Sequence, residues 1–333
     1  MKLDSIVEST PGQVQDLLSR LSMARGAVAG RIVGQEGVLD EVLVGILADG
    51  HVLLEGSPGL GKTLLVKSLA EVLGLQFSRI QFTPDLMPAD ITGTVVLSYD
   101  ETGRPRTAFQ PGPIFAELVL ADEINRATPK TQSALLEAMQ ERTATVAGKT
   151  HLLPRPCLVL ATQNPIEMDG TYDLPEAQID RFLLKVVVPF PTRAILDEIL
   201  AAQDDYDTPL QAVMGSSDLL QLQALTRSVV VASHVRQAAV DIVMKSQTGG
   251  RAELARFLRH GVSPRGAQSL LKAARALALI NGRMHVGFDD LKRVLGPALR
   301  HRLILNFEGQ AQGISVEELV ESTFEEVVAK SRR

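Results

Sequence analysis

The chain has 333 residues, 45% of them hydrophobic and 22% charged, with 34 Lys and Arg against 39 Asp and Glu. That balance is an ordinary globular protein's and excludes a chain disordered throughout, and the length suits two domains rather than one core. A net charge of −5, no Trp and 3 Tyr argue against a dedicated nucleic-acid binder, which carries a basic stripe and aromatic platforms for stacking bases.

The single cysteine, Cys157, cannot form an internal disulfide, and its apolar setting, Cys157-Leu158-Val159-Leu160, places it in the core. No early apolar stretch follows a basic start and none reaches bilayer-spanning length, so a cytoplasmic protein without a membrane span is expected.

Residues 1–30 carry Val14, Leu17, Leu18 and Leu21 at helical spacing and read as a helical extension packed on the core. Arg31-Ile32-Val33-Gly34-Gln35-Glu36 then leads into an apolar helix, Val38 to Leu47. His51 to Glu55 is a short apolar run, and Leu64, Leu65, Leu69, Val72 and Leu73 recur at helical spacing. Between them stands Gly56-Ser57-Pro58-Gly59-Leu60-Gly61-Lys62-Thr63, a Gly-x-x-x-x-Gly-Lys-Thr phosphate loop in the strand–loop–helix context its chemistry requires. Glycines let successive N–H groups curl inward around phosphate oxygens, and the helix behind adds the positive end of its dipole. The backbone from Gly56 to Leu64 thus forms the cradle, Lys62 reaches the β- and γ-phosphates, and the Thr63 hydroxyl is placed to ligate Mg²⁺.

Phe77–Phe82, Leu118–Ala121, Leu158–Ala161 and Leu184–Val188 read as buried strands alternating with helices such as Thr131–Glu141, which predicts an α/β fold with a parallel sheet covered by helices on both faces. Two segments interrupt it. Pro84–Pro113 carries β-like runs at Thr94–Leu97 and Thr107–Gln110 around a turn at Asp100-Glu101-Thr102-Gly103, and Arg142–Leu153 alternates around Ala147-Gly148-Lys149 as a hairpin. Pro189-Phe190-Pro191 is a stiff break, and the boundary of the first domain is expected near residue 192. Beyond it the pattern is helical: Arg193–Gln203, Asp218–Val229, Val235–Lys245, Arg265–Ile280, Asp289–Leu295 and Val316–Ala329. The expected organisation is therefore an extension over 1–30, an α/β nucleotide-binding domain over 31–192 and a smaller all-α domain over 193–333.

Hydrolysis needs more than a cradle. The apolar strand Leu118–Ala121 delivers Asp122 and Glu123 to its C-terminal end, where ligands bind in open α/β sheets. Asp122 is placed to hold Mg²⁺ through its water shell and Glu123 to polarise the attacking water; taken alone, the pair also fits an acidic helix cap. Leu158–Ala161 ends in Thr162-Gln163-Asn164-Pro165, so that Asn164 would orient water if this strand lies beside that of Asp122; an Asn-Pro turn is the plainer alternative.

These blocks, together with Asp122-Glu123-Ile124-Asn125-Arg126-Ala127, Ala161-Thr162-Gln163-Asn164-Pro165 and Leu174-Pro175-Glu176-Ala177-Gln178-Ile179-Asp180-Arg181-Phe182, resemble the MoxR family of AAA+ ATPases from about Val33 to the last helices. The resemblance implies an AAA+ core and helical lid, with Asn164 at the sensor 1 position, Arg181 as an arginine finger reaching a neighbour's γ-phosphate, and Arg265 in Ser263-Pro264-Arg265 as sensor 2. Arg181 also has Asp180 and Glu176 within pairing range, Arg265 also starts a helix, and Arg126 is a rival finger. Ile32, Val33 and Gly34 match the segment that packs on adenine, or else are ordinary core. Gln81 is either a coupler of partner binding to Glu123 or a solvated strand end, and Arg300-His301-Arg302 is expected on a solvated basic helix face.

By the same resemblance, 84–113 matches the helix 2 insert and 142–153 the pre-sensor 1 hairpin of the clade that includes magnesium chelatase ATPase subunits and MCM helicases. It implies a hexameric ring binding ATP and Mg²⁺ between subunits and a chaperone-type ATPase that matures client proteins with a von Willebrand factor A domain partner. A magnesium-chelatase-like subunit, a nucleic-acid motor and a non-hydrolysing scaffold stand as alternatives, the motor disfavoured by charge and the scaffold by the presence of Glu123.

Overall fold

A computed structural model describes residues 10–99, 104–165, 170–201, 208–247 and 252–331. The turn read at Asp100–Gly103, residues 1–9 of the extension and the end of the helix read to Gln203 lie outside the described residues.

Helix α1 (Pro11–Arg31) begins with a reciprocal cap: the Thr10 N–H donates to Gln13 Oε1 at 2.8 Å, and the Gln13 N–H to Thr10 Oγ1 at 3.4 Å. Leu17, Leu21, Ala24 and Val28 form its buried stripe. Helix α2 (Glu36–Leu47) precedes strand β1 (Val52–Glu55), which feeds helix α3 (Lys62–Val72). Next come β2 (Phe77–Gln81), α4 (Pro88–Thr92), a hairpin of β3 (Gly93–Tyr99) and β4 (Pro105–Pro111), then β5 (Leu118–Asp122) and α5 (Pro129–Glu141). A second hairpin, β6 (Thr143–Val146) with β7 (Lys149–Leu152), precedes β8 (Leu158–Gln163), α6 (Glu176–Ile179) and β9 (Leu184–Val187).

The main sheet has the order β2-β5-β8-β1-β9 and is parallel at every pairing. Alternate residues of its strands feed two separate apolar layers. Leu118, Leu120, Leu158 and Leu160 pack with α1, α2 and α3, whereas Val119, Ala121, Val159 and Ala161 pack with Leu135, Leu136 and Met139 of α5. Both faces are thus covered, which explains the uninterrupted apolar character of β5 and β8. Cys157 lies in the second layer, where burial pushes its thiol up to about 11. The register pairs Gln81 with Asp122, Ala121 with Ala161 and Glu55 with Gln163, so four strands end side by side.

Beyond β9 the chain is helical: α7 (Arg193–Ala201), α8 (Ser216–Ser228), α9 (Ser233–Lys245), α10 (Glu253–Arg256), α11 (Pro264–Ile280), α12 (Phe288–Leu299), α13 (Phe307–Ala311) and α14 (Val316–Ser331). A short antiparallel pair, β10 (Leu258–His260) with β11 (Ile304–Leu305), interrupts them. Helix α12 does not stop at Leu295 as the pattern suggests. It runs through Pro297, which falls in the last turn and forfeits a single backbone bond there.

The largest departure concerns Arg300-His301-Arg302, which is not a solvated helix face. The Arg302 side chain is 2% exposed. Its Nε donates to Asp180 Oδ1 at 2.6 Å, and its two terminal nitrogens donate to the carbonyls of Asp180, Phe182, Leu183 and Ala298 and to Ser269 Oγ. His301 donates to the Phe182 carbonyl across 3.2 Å and is held neutral, well below its usual pKa, by burial and by Arg302. Just past the end of α12 the chain turns inward onto the segment before β9, and a charged run becomes a bolt between helical region and sheet.

Candidate nucleotide-binding and hydrolysis site

The loop between β1 and α3 sits where the parallel sheet opens. Gly59 and Gly61 hold φ of +80° and +74°, left-handed values that a side chain resists, and Gly61 directly caps α3. The Gly56 N–H donates to Gln163 O at 3.3 Å, anchoring the loop to β8. Lys62 Nζ lies 2.6 Å from Gly56 O and 2.8 Å from Ser57 O, along the inside of the loop. Burial lowers its pKa, and Asp122 and Glu123 oppose that shift.

A cleft of about 400 Å³ is lined by Pro58–Leu64, Arg79, Asp122, Glu123 and Thr162–Asn164. The cradle, the cation, the hydroxyl and both carboxylates therefore converge, and Asn164, buried at the tip of β8, joins them because β8 does lie beside β5. A phosphate-sized anion fits this donor set: backbone N–H groups at a helix N-terminus, a lysine in the same cleft, and a carboxylate with a hydroxyl to flank a metal.

Glu123 holds a left-handed backbone, φ 57°, at a cost of about 1–2 kcal/mol for a residue with a Cβ. Its N–H is fixed by Thr162 Oγ1 at 2.8 Å, and the same hydroxyl donates to Asp122 Oδ1 at 2.6 Å. Gln81 Nε2 donates to Glu123 Oε2 at 2.8 Å, and Arg126 Nε lies 3.2 Å from that oxygen. Gln81 is exposed yet bonded, so it is more than a solvated strand end. Arg79 donates to Asp122 Oδ2 from Nε at 3.1 Å and from Nη2 at 2.5 Å. Arg79 and Thr162 went unassigned in the sequence. Alternation along β2 sets Arg79 on the same face as Gln81, but only the strand order brings that face to Asp122.

Ile32 is buried and Val33 half-buried beside the loop, where Gln35 Nε2 donates to Leu60 O at 2.8 Å. Gly34 has φ +73°, and a Cβ there would fall 2.4 Å from Ile195 Cγ2, so α7 closes directly over this segment.

Arg181 and Arg265 are not brought into the loop's cleft. They line a separate cleft of about 210 Å³ with Arg142, Gln268 and Lys272. Neither carboxylate near Arg181 is spent on it: Asp180 takes Arg302, and Glu176 takes Arg259. Arg126, by contrast, is engaged with Glu123 of its own chain.

A phosphate loop at the C-terminal edge of a five-stranded parallel sheet, with paired carboxylates on the next strand but one, defines a P-loop nucleotide-binding protein. Residues 51–184 match the ATPase family associated with various cellular activities (AAA), and residues 251–323 match the AAA lid domain. The chain is 41% identical over 330 residues to Chaperone MoxR1 of Mycobacterium tuberculosis, covering 96% of this chain and 86% of that one. It is 34% identical over 313 residues to protein MoxR of Paracoccus denitrificans, covering 88% and 91%. A crystal structure of a candidate ATPase from Cytophaga hutchinsonii superposes with a TM-score of 0.86 at 36% identity, over 94% of this chain and 95% of that one. The chain belongs to the MoxR family of AAA+ ATPases. Among the described residues no helix is long and apolar enough to cross a membrane.

Proposed function

We propose that this protein hydrolyses ATP with Mg²⁺ in a site that two copies build together, and that it uses the cycle to remodel or mature client proteins. One observation carries the reading: Lys62, Thr63, Asp122, Glu123 and Asn164 share one cleft, while Arg181 and Arg265 line another on the same chain. A head-to-tail ring, of six copies by family resemblance, would bring the second cleft of each subunit to the first cleft of its neighbour.

In this scheme the loop from Gly56 to Leu64, through the N–H groups of Gly59 to Leu64, and the Lys62 ammonium bind the triphosphate, and Ile32, Val33 and Gly34 flank the base. Thr63 and Asp122 would hold Mg²⁺, which would neutralise charge on the triphosphate. Glu123, set by the Thr162 hydroxyl, orients the attacking water and draws its proton, and Asn164 aligns the same water. Arg181 and Arg265 from the adjacent subunit meet the charge that develops on the γ-phosphate. Residues 31–192 act as the nucleotide-binding core and 193–333 as the lid, with 1–30 an extension of the core. The two hairpins, β3–β4 and β6–β7, are the elements for client contact, and a von Willebrand factor A domain protein is the expected partner, both on family grounds.

An arginine acting in trans ties turnover to assembly. Specific ATPase activity should rise with protein concentration as rings form, and an Arg181→Ala variant should assemble at the wild-type size yet hydrolyse poorly. Full activity in a dilute monomer would sink this reading. Pulldown with Glu123→Gln in ATP should retain the client, and recovery of nucleic acid alone would overturn the chaperone assignment.

A further inference from the structure

Arg79 reaches the nucleotide cleft from β2 and has no part in the scheme above. Its guanidinium binds Asp122 Oδ2 through Nε and Nη2, and Nη2 also donates to Gln81 Oε1 at 2.6 Å. Gln81 in turn holds Glu123 Oε2, while the Thr162 hydroxyl joins Asp122 Oδ1 to the Glu123 N–H. The result is a closed ring of hydrogen bonds across the ends of β2, β5 and β8 that contains both carboxylates.

The two partners of Asp122 differ in kind. Thr162 approaches from the interior and is 1% exposed, whereas the Arg79 side chain is 47% exposed on the outer side. The threonine is fixed by the sheet; the arginine stands on a long side chain that is free to swing into solvent. A hydrated Mg²⁺ held by Asp122 and a guanidinium on the same oxygen are like charges at short range, and they exclude one another.

We propose that Arg79 and nucleotide-bound Mg²⁺ compete for Asp122 Oδ2, so that metal arrival detaches the guanidinium from the carboxylate. The proposal rests on the Mg²⁺–ATP reading above. Arg79 is then a positioning residue with two duties. Before metal arrives it screens the Asp122 carboxylate from phosphate oxygens and closes the ring between Asp122 and Gln81; afterwards it is displaced from Asp122 and the ring opens there.

The test is nucleotide binding rather than turnover. A fluorescent ATP analogue is titrated by anisotropy into the full chain, in Mg²⁺ and in EDTA, and the ratio of the EDTA Kd to the Mg²⁺ Kd is taken. For Arg79→Ala the ratio should rise about tenfold, the size of one lost charge-assisted contact: metal-free binding weakens because Asp122 is unscreened, and Mg²⁺-bound affinity tightens because a competitor is gone. Arg79→Gln, also neutral but still able to hydrogen bond, should raise the ratio in the same direction and serves if the alanine variant folds poorly. A ratio within about twofold of wild type in both variants, or a parallel weakening of both Kd values, overturns the proposal. Wild-type protein that binds no nucleotide in either condition would instead overturn the functional reading beneath it.

Discussion

Removing Arg302 should cost far more than removing an ordinary surface arginine. In Arg302→Met the stem is kept and the guanidinium lost, so the carbonyls of Phe182 and Leu183, 2.7 and 3.2 Å from its nitrogens, lose their donor, and Asp180 loses its ion pair. Breaking a buried pair costs about 3–5 kcal/mol, chiefly through the groups left behind. The Asp180 side chain is 22% exposed and keeps the Ser263 hydroxyl at 3.2 Å, so water and that contact recover part of the loss. A net loss of about 4 kcal/mol is expected, or about 6 °C in Tm for a chain of this length. Arg256→Met, which removes an exposed pair to Glu308 and a guanidinium 5.1 Å over the Phe257 ring, should cost no more than about 1 kcal/mol. Guanidinium chloride denaturation of both variants reads the difference. Equal losses, or an Arg302 effect below about 1 kcal/mol, would refute the claim that this residue bolts the helical region to the sheet.

Two further outcomes follow from the buried polar groups. Thr162→Val removes the hydroxyl that sets both Asp122 and the strained Glu123, so kcat should fall on the order of a hundredfold with nucleotide Kd nearly unchanged, and a matching loss in Kd would contradict that role. His51 is buried and neutral, accepting from Val159 N–H and donating to the Met139 carbonyl, and burial takes its pKa down to about 4. With an unfolded pKa of about 6.5, the unfolded chain takes up the proton first as pH falls. This stability is therefore complete above about pH 6.5 and declines toward pH 4, by about 2 kcal/mol at pH 5. His301 shifts in the same direction. Denaturation at pH 7 and 5 should show a steeper loss for wild type than for His51→Gln, and identical losses would remove His51 as the cause.

The phosphate loop and the strand ending in Asp122 were legible because their signals are local: glycines where φ is positive, apolar runs where both faces are covered, and an acidic pair at a strand end. Asn164 was legible only on condition that its strand neighboured β5, and the sheet order meets that condition. What stayed hidden depends on distant partners. Nothing near Arg302 in sequence announces Asp180, 122 positions away, so a charged run read as solvent-facing. Arg79 and Thr162 are likewise ordinary in their own strands and acquire meaning only where β2, β5 and β8 end together. The helix read over Asp289–Leu295 continues through Pro297 to Leu299, because its end depends on how far α12 packs, which tertiary contacts decide.

The central claim, that each nucleotide site is completed by the neighbouring copy, is tested most directly by mixing two inactive variants. Lys62→Ala removes the phosphate cation from one cleft and Arg181→Ala removes the finger from the other, and each alone should form rings with little turnover. Co-assembled in equal amounts, about a quarter of the interfaces pair an intact Lys62 with an intact Arg181 across the boundary. The account predicts that ATPase activity reappears in the mixture at a corresponding fraction of wild type. A mixture no more active than the sum of its two parents would contradict it.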